Sequence, residues 1–97
     1  MYVDIILPLA IPNYFTYGVP LEFQAEMEIG KRVEIGFGRG KKYSGLVRHI
    51  HDKKPELYAV KPILAILDKN PIVFEYQFTF WEWLASYYMC SVGEVMQ

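Results

Sequence analysis

The run Gly36-Phe37-Gly38-Arg39-Gly40-Lys41-Lys42 sets glycines beside cations, the composition of loops that cradle phosphates. A nucleotide-hydrolysing phosphate loop needs four residues between its outer glycines, then Lys and Ser or Thr, and it must open a helix. Here three residues separate Gly36 from Gly40, Lys42 stands where the hydroxyl is needed, and the segment leads into a strand pattern. Nucleotide hydrolysis by this loop is excluded. What remains is a nest of backbone N–H groups beside Arg39, Lys41 and Lys42, an expected anion site, or else a solvated hairpin tip. His49 and His51 fall on one strand face with Asp52 next in line, and no second His or Cys cluster exists to complete a zinc site. Two exposed strand-end histidines are expected there. Cys90, the only cysteine, has no committed base beside it and cannot close an internal disulfide. No Ser-His-Asp or paired-carboxylate pattern stands out, so the chain does not read as an enzyme. Phe15 lies in a short run of strand formers between turn signals, where a ring can stay partly exposed and stack a base.

Charge sharpens the anion reading. The net charge is −1, which on average argues against nucleic acid. Yet residues 31–61 hold nine of the ten bases (Lys31, Arg32, Arg39, Lys41, Lys42, Arg48, Lys53, Lys54, Lys61) against Glu34, Asp52 and Glu56, a local +6. Residues 1–30 sum to −4 and residues 62–97 to −3. Such segregation fits an anion-binding face, and it equally fits lysines that keep a hairpin from pairing with other strands.

The elements that must position these groups split the chain in two. Val3, Ile5 and Leu7 alternate with Tyr2, Asp4 and Ile6 in a first strand ended by Pro8. Pro12-Asn13 signals a turn, and Tyr14 to Tyr17 returns as a hairpin partner. Val19 to Met27 reads as a surface loop because of Pro20. Gly30-Lys31 opens a strand with Val33, Ile35 and Phe37 on one face, and Tyr43 to Ile50 is a central strand, apolar on both faces near Leu46-Val47. Ser44-Gly45 marks a bulge or a close backbone approach. A fifth strand is expected at Ile63 to Leu67. After Asp68-Lys69-Asn70-Pro71, Glu75 to about Met89 reads as a helix with two apolar stripes, Phe74-Phe78-Trp81-Ala85-Tyr88 and Phe80-Trp83-Leu84-Tyr87. One stripe can pack on the sheet, which would bury its rings, and the other needs a further partner. Gly93 looks like a helix or turn end. The expected fold is α+β: a small bent antiparallel sheet or partial β-barrel over residues 1–67, then an aromatic-rich helical part over 72–97, all one domain spanning 1–97.

Length and composition agree. Ninety-seven residues, 53% hydrophobic and 22% charged, allow one real core and exclude disorder. No stretch approaches the roughly 20 apolar residues of a membrane span, and the Ile5–Ile11 run lacks a basic leader and a cleavage site. With a single cysteine, a cytoplasmic domain without membrane contact is expected.

Val3-Asp4-Ile5-Ile6-Leu7-Pro8 and then Tyr14-Phe15-Thr16-Tyr17-Gly18-Val19-Pro20 are similar to a pattern V-x-L-P … x-F-x-Y-x-x-P. Gly30-Lys31-Arg32-Val33-Glu34-Ile35-Gly36-Phe37-Gly38 looks like G-x-R-V-x-V-P-F-G, and Tyr43 to Val47 like x-x-G-x-V. Lys61-Pro62-Ile63 resembles L-K-x-I/V, Trp83 to Tyr88 resembles W-L-A-D-Y-Y, and Gly93-Glu94-Val95 resembles G-E-V-L. Together, in order and spacing over essentially the whole chain, these blocks resemble the N-terminal 3′ DNA-binding domain of the bacterial primosomal replication helicase family, PriA (primosomal protein N′).

The resemblance implies a non-catalytic part of a larger ATP-driven helicase. That part would grip the 3′-OH end of the nascent leading strand at a stalled fork, whatever its base. The implied site residues are Phe15, Thr16, Gly38 and Lys61, with Arg39, Lys41 and Lys42 near the DNA backbone. Thr16 replaces the family's aspartate and so brings a hydroxyl without charge, and Gly36 replaces a proline. Thr16→Asp is expected to leave the fold intact and to tighten or preserve the preference for the 3′ end. The implied partners are forked DNA, the rest of the helicase chain and other primosome proteins, in the cytoplasm at the nucleoid. No cofactor belongs to this segment; ATP, magnesium and zinc would act elsewhere in the longer chain. The competing expectation is a small-barrel protein-interaction domain that docks another protein on its aromatic helix and has no nucleic-acid role.

Overall fold

A computed structural model describes residues 1–7, 14–38, 40–55, 60–88 and 92–96. Pro8, the Pro12-Asn13 turn, Arg39 and Cys90 lie outside them. Among the described residues five strands and three helices follow one another: β1 (Tyr2–Ile6), β2 (Phe15–Gly18), α1 (Leu21–Gln24), β3 (Arg32–Gly36), β4 (Lys42–His51), β5 (Ala65–Ile66), α2 (Glu75–Tyr88) and α3 (Val92–Met96). The strands form one antiparallel sheet in the order β2-β1-β4-β3-β5. The fold is α+β, an open five-stranded antiparallel sheet with an aromatic C-terminal helix.

The period-two alternation explains the layers. Val3, Ile5, Leu7, Tyr17, Val33, Ile35 and Val47 point to one face and form the main core with Val19, Met27 and Ile63. Ile6 and Leu46 point to the other face and meet Val73 and Phe78 beneath α2. β4 lies between β1 and β3, so both of its edges are paired, and Val47 in one core and Leu46 in the other cover both of its faces, as its two-sided apolar sequence requires. The sheet is not closed, but it curls. Gly18 at the end of β2 forms a parallel bridge to Pro62, ahead of β5 on the opposite edge.

The close approach at Gly45 is real. A Cβ there would lie 2.3 Å from Ile5 Cγ2 and 3.0 Å from the Ile6 carbonyl oxygen. The bulge lies elsewhere: Asp4 faces His49 and Ile5 faces Val47, so the register skips Arg48 and turns its side chain toward α2. Three expectations need correction. Pro20 launches a single helical turn, Leu21–Gln24, within the segment read as loop because proline's fixed φ suits a helix start. The fifth strand shrinks to Ala65–Ile66. Gly93 sits inside α3 rather than ending a helix. Among the described residues no helix is long and apolar enough to cross a membrane.

On α2, Phe78 and Ala85 are buried and Trp81 is partly buried, with its ring edge-on to Phe78 at 5.7 Å. Phe80, Trp83 and Tyr87 face outward, the last two stacked at 5.4 Å. Phe74, expected on the packed stripe, is exposed as well, because it precedes the first turn of α2 and stacks on Tyr76 instead.

Candidate nucleic-acid interface

A concavity of about 200 Å³ opens at the curled end of the sheet. Phe15, Thr16 and Tyr17 of β2 form one wall, Gly36, Phe37 and Gly38 a second, and Lys61 a third. β2 and β3 are not neighbours in the sheet, yet the buried Tyr17 spans the gap by donating its hydroxyl to the Gly36 carbonyl at 3.0 Å. The Phe15 ring stands edge-on to Phe37 at 5.2 Å, and Phe37 edge-on to Tyr43 at 5.8 Å. Phe15 is therefore only partly buried, with its ring braced against other aromatics.

The second wall owes its shape to glycine. Gly38 has φ +70°, a left-handed conformation that L side chains rarely adopt, and a Cβ there would meet nothing. Glycine is needed for the backbone rather than for space. Phe37 N–H donates to the Lys41 carbonyl at 3.0 Å and closes the tip. Lys61 is placed by its backbone. Gly18 N–H donates to the Lys61 carbonyl at 2.9 Å, and Ile63 N–H donates to the Gly18 carbonyl at 3.0 Å. The Lys61 ammonium is exposed, with no carboxylate at ion-pair distance among the described residues. The concavity thus sets an aromatic ring, a glycine-shaped wall and an exposed ammonium side by side.

Four residues singled out from the sequence, Phe15, Thr16, Gly38 and Lys61, thus line one concavity although they span 46 positions. Lys41 and Lys42 are exposed beside it on the tip but do not line it. Thr16 differs from expectation in its hydroxyl, which donates to Asp4 Oδ1 at 2.8 Å. The carboxylate beside position 16 is that of Asp4, its cross-strand partner on β1.

The cation-rich segment divides once it folds. Lys31 is 3% exposed, with Nζ donating to the Glu26 carbonyl at 2.6 Å and pairing with Glu28 at 3.2 Å. Arg32 forms a two-pronged pair with Asp68, and the hydrogen bond from this guanidinium holds the Asp68 carboxyl below its usual range. Arg48 is 7% exposed. It donates to Glu82 at 2.9 and 3.2 Å, pairs with Glu75 at 3.0 Å and lies 5.1 Å above the Phe78 ring. Tyr14 also donates to Glu82. These three cations serve the fold. Among the described residues of the segment, Lys41, Lys42, Lys53, Lys54 and Lys61 are exposed and have no carboxylate at ion-pair distance.

The histidines are not the free strand ends that the sequence suggested. His49 Nδ1 lies 3.3 Å and His51 Nε2 2.8 Å from the Asp4 carboxylate. Burial opposes ionisation of Asp4, but hydrogen bonds from His51 and Thr16 outweigh it and hold the carboxyl below its usual range. Sequence reading missed this cluster, together with Tyr17 and Phe37. The available signal was Asp4, the only charge in an otherwise apolar strand.

Comparison with known proteins agrees with the geometry. The family model for the 3′ DNA-binding domain (3′BD) of PriA matches residues 4–97, a span that includes every wall of the concavity. No curated protein matches the chain. The protein is a DNA-binding domain and belongs to the PriA 3′ DNA-binding domain family.

Proposed function

We propose that the concavity holds the terminal nucleotide of a DNA strand with a free 3′-OH, without regard to its base, as the end-recognition module of a replication-restart helicase. The observation that supports this most is the meeting of Phe15, Thr16, Gly38 and Lys61 around one space of about 200 Å³. Phe15 offers an aromatic surface that any base can stack on, worth about 1–3 kcal/mol. Gly38 brings backbone close to the sugar, and Lys61 meets a phosphate. A wall of backbone around the ribose admits a chain end, whereas a continuing strand would drive its next phosphate into that wall.

On this reading residues 1–97 act as one domain in the cytoplasm, and ATP, magnesium and zinc act elsewhere in a longer helicase chain. α2 has no Lys or Arg, so nucleic acid is a poor fit for its outward aromatics; the rest of the helicase chain is the occupant we assign there. Fluorescence anisotropy with paired oligonucleotides tests the central point. A 3′-phosphorylated strand should bind at least several-fold more weakly than its 3′-OH twin, while exchange of the terminal base changes little. Equal binding of the two ends would refute it.

A further inference from the structure

A second concavity of about 380 Å³ adjoins the first, and Thr16 lines both. Its other walls are Asp4, His51, Lys53, Lys54 and Pro55. Asp4 and Thr16 are direct cross-strand partners in the β1–β2 register, and Thr16 is the residue through which the two spaces meet. Lys53 and Lys54 are exposed, and neither ammonium has a carboxylate partner among the described residues. Lys54 also borders a wider surface depression that reaches Gly18, Val60 and Pro62, the last two flanking Lys61 in the chain.

Among the described residues the neighbouring acids are engaged by other partners. Asp4 accepts hydrogen bonds from Thr16 and His51 and lies 3.3 Å from His49. Asp52 lies 3.7 Å from the terminal amine of Met1. His51 also fixes the lysine pair. Lys53 N–H donates to His51 Nδ1 at 3.1 Å, which leaves the ring proton on Nε2 to be donated to Asp4. Through that chain of bonds the turn after β4 is held against β1.

We infer that this second concavity is a phosphate track, in which Lys53 and Lys54 neutralise the internucleotide phosphates upstream of the terminal nucleotide as the strand leaves the first concavity across Thr16. Phosphates recur about every 3.4 Å along a stacked strand, so a site just beyond Thr16 lies within the next few nucleotides. The inference rests on the terminal-nucleotide reading, because that reading fixes where the strand begins.

The test compares wild type with Lys53→Ala/Lys54→Ala, using a 3′-OH dinucleotide, a 3′-OH hexanucleotide and the 3′-phosphorylated hexanucleotide across a salt series. Both lysines are exposed, so the variant should melt like wild type. On the hexanucleotide the log–log salt slope should fall by about 1.4, two single-strand contacts of about 0.7 each. Wild-type affinity should then drop about sevenfold more than the variant's between 50 and 200 mM salt. Dinucleotide affinity should stay within about twofold, and the preference for 3′-OH should persist in the variant. An unchanged slope with end preference intact would overturn the track alone. Absence of end preference in the wild type would overturn the terminal-nucleotide reading, and the track with it.

Discussion

Replacing Arg48 by Met tests how the sheet holds α2 and, through Tyr14, the start of the strand that presents Phe15. Methionine keeps the apolar stem above Phe78 and deletes the guanidinium. The loss has three parts. Two charge-assisted hydrogen bonds to Glu82, at 2.9 and 3.2 Å, belong to a class worth about 1.5–3 kcal/mol. The pair with Glu75, whose side chain is 65% exposed, adds at most about 1 kcal/mol. The cation over Phe78 at 5.1 Å adds roughly 0.5–1 kcal/mol. Stripping one partner from a fully buried pair costs about 3–5 kcal/mol, but the Glu82 side chain is 31% exposed and regains water once freed. A net loss of about 2–3 kcal/mol is expected. For a domain of this size that lowers Tm by roughly 8–24 °C. Arg48→Lys, which keeps the charge but not the fork, should fall between the two. Chemical and thermal denaturation followed by circular dichroism give both numbers, and a cycle with Glu82→Gln isolates the coupling. If Arg48→Met stays within about 0.5 kcal/mol of wild type, the guanidinium is not what fastens α2 to the sheet.

Four further outcomes are expected. In anisotropy titrations Lys61→Ala should weaken binding and flatten the salt slope by about 0.7, whereas Phe15→Ala should weaken it by about 1–3 kcal/mol with the slope unchanged. Trp81→Ala, which removes a ring packed on Phe78, should cost about 2–4 kcal/mol; Trp83→Ala, at a site 58% exposed, should cost no more than about 1.5 kcal/mol in the same melts. Asp4, Asp68 and Glu82 have carboxyls lowered below 3.8, 3.8 and 4.5; the unfolded chain therefore binds protons first, and Tm should hold above pH 4.5 and fall as acid titrates the folded carboxyls. Tyr14, pushed up to about 12 by burial and by Glu82, has the opposite sign, so its contribution should be lost as pH rises from 10 toward 12. Thr16→Asp should bring a second carboxylate beside Asp4, which now lies 2.8 Å from the Thr16 hydroxyl, and should lower Tm because like charges face each other across strands.

That last outcome adds a stability cost to the expectation from sequence, and the reason is instructive. Phe15 stands out as a ring in a short strand between turns, whereas Gly38 and Lys61 are implied as site residues by the family resemblance; the structure brings all three to one concavity. The strand pattern was legible too, since β1 and β3 alternate with the period that the sheet imposes and β4 is apolar on both faces, as a central strand must be. What could not be read was pairing across the sheet. Asp4 meets Thr16, His49 and His51 through a register with a skip at Arg48, and no spacing within one strand encodes a skip. The same limit made Lys31, Arg32 and Arg48 look like part of an anion-binding face. Their acids, Glu28, Asp68, Glu75 and Glu82, come from the acidic flanking segments. The charge segregation that suggested nucleic acid is in part the two halves of a set of internal ion pairs. α2 shows a third limit: its two aromatic stripes look alike in sequence, and only the packing of the helix on Ile6, Leu46 and Val73 shows that Phe78 goes inward and Trp83 outward.

The most direct measurement is the change in backbone amide NMR shifts on adding a 3′-OH dinucleotide, with its 3′-phosphorylated twin as the control. The terminal-nucleotide reading predicts the largest shifts at Phe15, Thr16, Gly36, Phe37, Gly38 and Lys61, the residues around the concavity, and much smaller shifts with the blocked end. Shifts concentrated on the outward face of α2, or equal shifts with both dinucleotides, would contradict it.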